Sequence, residues 1–124
     1  MNRYIIFSIL VLCQYIMDRI NSICITNTGE ILLFFHHIFA IYLYTGGFFF
    51  DPLIHLIVII CTLFHWYIYK KCILTEYTNL YCGVNINKPF NDYVRMLKLY
   101  KINTRIHWIL LFILIFYDVC LIID

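Results

Sequence analysis

Residues 31–69 read ILLFFHHIFAIYLYTGGFFF, then Asp51-Pro52, then LIHLIVIICTLFHWYIY, and the apolar character stops at Lys70-Lys71. The first block holds twenty residues and the second seventeen, with no Asp, Glu, Lys or Arg in either. As helices they would cover about 25–30 Å, which matches the hydrocarbon core of a bilayer. Asp51 suits an N-cap and Pro52 the first helical position, so one helix starts there. Gly46-Gly47 reads as the end of the preceding helix, because glycine readily takes the left-handed cap conformation. The stretch therefore predicts two antiparallel membrane spans joined by a short turn.

Working outward, the run Tyr4–Met17 is broken only by Ser8 and Gln14. Extended through Asp18 and Arg19, whose charges would snorkel to the interface, it makes a first span over residues 4–25. A secretory signal is the competing reading, but no small-x-small site follows, so an uncleaved span is expected. Asn27 and Glu30 have the spacing of a capping arrangement at the start of the second helix. Ile106–Ile123 reads as a fourth span that carries Asp118. Between the third and fourth spans, Phe90, Tyr93, Val94, Leu97 and Tyr100 recur at helical spacing, opposite Asn91, Asp92, Arg95 and Lys98. Beside a membrane that pattern predicts an interfacial amphipathic helix. The expected fold is all-α: a single domain, residues 1–124, forming a four-helix transmembrane bundle. Its spans are 4–25, 31–47, 52–69 and 106–123, with the interfacial helix in the loop 70–105.

Composition agrees. Hydrophobic residues make up 64% of the 124 and DEKR 13%, against about a quarter charged in an ordinary soluble domain. A soluble chain this short would lack polar groups to cover its surface. The expected partners are the lipid bilayer and other membrane proteins or a second copy. Nucleic acid is excluded, because the basic residues are interleaved with acids and apolar residues rather than gathered in a patch. Seven of the nine lie between Lys70 and Arg105, and Arg19 joins them on one side of the bundle, leaving Arg3 on the other. The positive-inside rule then predicts that loops 18–30 and 70–105 are cytoplasmic and both termini lie opposite. Trp66 and Trp108 sit near the loop-side ends of their spans, as interfacial tryptophans do.

Ionisable groups at membrane depth are the default functional candidates. His36 and His37 lie ~8–9 Å into the second span from the loop side, and His65 lies ~6 Å into the third. His107 opens the fourth on that same side. Neutral imidazoles can ligate a transition metal or a haem iron, which makes His36, His37, His65 and His107 a candidate metal set. His37 with His65 would be the cofactor-binding pair. The competing reading is structural hydrogen bonding, and successive histidines on a helix point about 100° apart, so only one of His36 and His37 can face a given partner. In the opposite leaflet, His55 and Asp118 lie at matching depths and are expected to form a buried polar pair. No catalytic signature is present; Cys72, Glu76 and His65 could converge, but no motif supports them.

The six cysteines contain no C-x-x-C pair. Cys13, Cys61 and Cys120 lie in apolar runs, where cysteine acts as a small hydrophobe. Cys24, Cys72 and Cys82 lie in polar segments and are open to being free thiols, a disulfide or ligands; unpaired thiols are expected throughout.

From His36 to Gly83 the chain carries, in order, His36-His37, Gly46-Gly47, His55-Leu56, His65-Trp66 and Cys72-Ile73-Leu74-Thr75-Glu76. In this it resembles small, uncharacterised four-helix membrane proteins of large DNA viruses. More distantly it is similar to bacterial membrane proteins of unknown function with a Cys-Pro-Leu-Thr segment, where Ile73 stands for the proline. The resemblance implies a four-helix membrane fold and a viral source, and it supplies no activity. The function expected is a non-enzymatic structural or accessory component of a membrane or membrane complex. The alternative is a haem- or metal-binding redox protein.

Overall fold

The computed structural model describes residues 2–21 and 24–124. Its order is α1 (Arg3–Asn21), α2 (Asn27–Phe49), α3 (Pro52–Tyr69), α4 (Ile73–Cys82), α5 (Tyr93–Met96), a 3₁₀ turn (Leu99–Lys101) and α6 (Ile106–Ile123). Among the described residues there is no strand, and four helices, α1, α2, α3 and α6, are long and apolar enough to cross a membrane. The part of the expected first span at Ser22 and Ile23 lies outside the described residues.

α3 forms where the Asp-Pro pair places it. Asp51 Oδ1 accepts hydrogen bonds from Leu53 N at 2.9 Å and Ile54 N at 3.1 Å, and Lys70 ends the helix in the left-handed conformation. The cap of α2 lies one residue earlier than expected: Thr26, rather than Asn27, is the N-cap, and its Oγ1 accepts from Gly29 N at 3.0 Å.

The other end of α2 overturns an expectation. Gly46 and Gly47 lie inside the helix, which runs on to Phe49. Their role is close approach. A Cβ on Gly46 would overlap the His55 ring, and one on Gly47 would overlap Asp118 Oδ1. The two glycines let α3 and α6 press their polar side chains against the α2 backbone.

α2 is the central element, packing on α1, α3, α4 and α6, while α3 also packs on α6. Leu43, Ile59, Leu63 and Leu111 form the buried core, joined by Phe39, Tyr44, Trp66 and Trp108. Large apolar side chains cover the outside instead: Ile5, Ile9 and Ile16 on α1, Ile57 and Phe64 on α3, Phe112 and Phe116 on α6. Lipid is the solvent that such a surface fits.

The loop 70–105 differs from its expected form. The continuous amphipathic helix around residues 90–100 is replaced by the four-residue α5 and the 3₁₀ turn, separated by Lys98 in the left-handed conformation at φ 59°. The reason is that its apolar residues reach inward and upward rather than to one flat face. Phe90 stacks on His36 with ring centroids 3.5 Å apart, Val94 is buried, and Tyr93 Oη donates to Leu10 O at 3.0 Å. The longer helix of this loop is α4, which turns Thr78, Asn79 and Cys82 inward and Tyr77, Leu80 and Tyr81 outward.

Cys24 and Cys82 are joined by a disulfide, correcting the expectation of six free thiols; Cys13, Cys61, Cys72 and Cys120 are free. The bond closes a seam already held by Thr26 Oγ1 donating to Tyr81 O and by Ile25 N donating to Cys82 O.

Candidate functional site

Two polar clusters lie inside the bundle, one toward each end, and a cavity adjoins the basic-loop end. At the far end, His55 and Asp118 meet as expected: Nδ1 and Oδ2 are 2.7 Å apart and both residues are fully buried. His55 Nε2 donates to Leu43 O at 3.2 Å. A carbonyl can only accept, so Nε2 carries a hydrogen, and one further proton lies on the contact between Nδ1 and Asp118. Whichever side holds that proton, the pair is net neutral, which makes its burial tolerable. Asp118 Oδ1 has no hydrogen-bond partner among the described residues and rests against Gly47.

Toward the basic end, His37 is also fully buried. Gln14 Nε2 donates to its Nδ1 at 2.7 Å, and its Nε2 donates to Asp18 Oδ2 at 3.0 Å. Asn91 Nδ2 donates to Asp18 Oδ1 at 3.0 Å. α1, α2 and the loop before α5 are thus tied by one network. Asp18, expected to snorkel, is buried within it, and its neighbour Arg19 pairs with Glu30 at 2.8 Å. Gln14, Asp18 and Asn91 were not among the expected site residues. A signal existed for the first two: they are four residues apart and so share a helix face, in line with the buried Val11.

The other histidines separate. His36 is buried, its Nδ1 has no hydrogen-bond partner among the described residues, and its Nε2 lies 3.5 Å from Thr75 Oγ1. His107 Nδ1 bonds Tyr44 Oη and lies 3.8 Å from Asp92 Oδ2. His65 lies half-buried with its ring on Tyr69. His37 has both ring nitrogens engaged, so the expected His37–His65 ligand pair would require breaking this network. Among the described residues, no three His, Cys, Asp or Glu side chains are placed to hold a metal ion. Glu76 pairs with Lys71 at 2.6 Å.

Between α2, the start of α6 and the loop 70–105 lies a cavity of about 520 Å³, within the range of small-molecule sites. His36, Tyr44, Asp92 and His107 line it, with Trp66 and Trp108. Burial holds the Asp92 carboxyl above the usual carboxylate range, opposed by His107 and Arg95 nearby.

The chain matches no protein-family model, no curated protein and no solved structure. The resemblance to viral membrane proteins rests on the motifs quoted for it alone.

Proposed function

We propose that this chain is a non-enzymatic, four-span component of a membrane, acting through association with lipid and with other membrane proteins or further copies. The observation that carries this reading is the use made of its fully buried histidines. His37 and His55 each spend both ring nitrogens on groups of this same chain, so they brace helices rather than wait for a substrate. The apolar exteriors of α1, α3 and α6 supply the surface for lipid and neighbours. The test is purification in mild detergent, followed by cross-linking, an absorption spectrum and metal analysis. Colourless, metal-free protein that cross-links to itself or to other membrane proteins is expected. A chromophore or stoichiometric metal lost in His36→Ala would replace this reading with the redox one.

We further propose that the basic loops face the cytoplasm, on the strength of eight basic residues against one. The opposing observation is the Cys24–Cys82 disulfide on that same side, since such bonds persist mainly in oxidising compartments. Labelling Cys72 with a membrane-impermeant maleimide in sealed cells decides between them: protection supports the cytoplasmic side, and labelling reverses the orientation.

A further inference from the structure

We infer that the cavity beside α2 and α6 is a binding site for a phosphate-bearing amphiphile, with the phosphate held by Lys70 and Lys88 and the apolar part against Trp66 and Trp108. This goes beyond a bracing role for the bundle and does not depend on it.

The charges around the cavity point to an anion. Four cations, Lys70, Lys71, Lys88 and Arg95, face two carboxylates, Glu76 and Asp92. Lys71 is neutralised by Glu76 at 2.6 Å. Arg95 lies over the Tyr100 ring at 5.3 Å and near Asp92. Lys70 and Lys88 are exposed and form no ion pair among the described residues; Lys70 Nζ lies over the Tyr67 ring at 4.5 Å, a contact it would exchange for the phosphate.

The lining also has an apolar part shared with the core, Leu43, Trp66 and Trp108. A lining that combines cations with indoles matches a molecule with an anionic head and an apolar body. The head group can come from a bilayer phospholipid or from a soluble organic phosphate.

The chain has two tryptophans, and both line this cavity, so intrinsic emission reports on its occupancy. The full chain would be held in dodecyl maltoside micelles, which carry no phosphate. One arm adds phosphatidylglycerol to the micelles; the other adds phenyl phosphate. A saturating emission shift is expected in at least one arm. The Lys70→Gln/Lys88→Gln double variant should move its midpoint by about thirtyfold, from roughly 1 kcal/mol for each of the two surface charges. Lys101→Gln, a cation of the same face outside the cavity, should leave the midpoint in place. A shift only with phosphatidylglycerol assigns the lipid source, and one only with phenyl phosphate assigns the soluble source. No shift in either arm overturns the site, as does a shift that the double variant leaves unchanged. Both lysines are exposed, so equal helical circular dichroism is expected from the variant, and the wild-type titration alone suffices to refute the site.

Discussion

His55 shows how a single residue fixes the far end of the bundle. Its two nitrogens bridge Asp118 of α6 and the Leu43 carbonyl of α2, so its loss strands a buried carboxyl. His55→Ala should cost about 3–5 kcal/mol, read as a lower thermal midpoint in detergent, and the His55→Ala/Asp118→Ala double variant should recover part of it. If the double variant is no more stable than the single one, the pair is not the brace described here. Gly47→Ala tests the same place from the other side. An added methyl would overlap Asp118 Oδ1 and approach His55 Nδ1 to 3.0 Å, so a clear loss of stability is expected. At an ordinary exposed helix position the same change would stabilise.

Asp92 brings a pH dependence at this scale. Burial raises its folded pKa, so the fold favours the protonated carboxyl. That stabilisation is complete below the unfolded value of about 4 and is lost as pH rises through the raised folded value. Asp92→Asn keeps an oxygen to cap α5, which Asp92 does by accepting from Arg95 N. The variant should therefore match wild type at low pH and gain on it as pH increases, in denaturation midpoints measured at several pH values. A gap that narrows with rising pH would contradict this.

At the scale of elements, the hairpin was legible because the hydrophobic lengths and the Asp51-Pro52 signal act locally. The His55–Asp118 contact was legible too, since antiparallel spans convert sequence position into depth. The Gln14–Asp18–His37 network was not, because depth alone does not say which helix faces of α1 and α2 meet. Gly46-Gly47 misled for a related reason: glycine serves both to end helices and to admit a close neighbour, and only the neighbour distinguishes the two. The loop 70–105 was misread because its periodic residues contact different parts of the bundle, and Lys98 breaks the helix that the periodicity implies. The seam between α4 and the α1–α2 connection joins residues 58 apart in sequence, beyond any local signal. Its disulfide should contribute about 4 kcal/mol by restricting the unfolded chain. Reduction should lower the denaturation midpoint of wild type while leaving Cys24→Ser/Cys82→Ser unaffected, and an equal response of both would show that the bond adds nothing.

For the whole molecule, Trp66 and Trp108 lie at one end of the bundle of four long helices, with ring centroids 6.4 Å apart. In bilayers containing spin-labelled lipids, labels near the headgroup should quench their emission more than labels at the chain ends. The reverse order would mean that the bundle does not lie across the bilayer with these rings at an interface. The bond between Cys24 and Cys82 also changes what kind of polymer this is. The backbone from residue 24 to 82 is a closed covalent ring containing α2, α3 and α4, from which α1 and α6 extend as two tails. Cutting the Asp51–Pro52 bond, which mild acid hydrolyses preferentially, would open the ring without releasing anything. The nicked protein should keep its full mass on a denaturing gel until a thiol is added, and then separate into two pieces that each carry two of the four long helices.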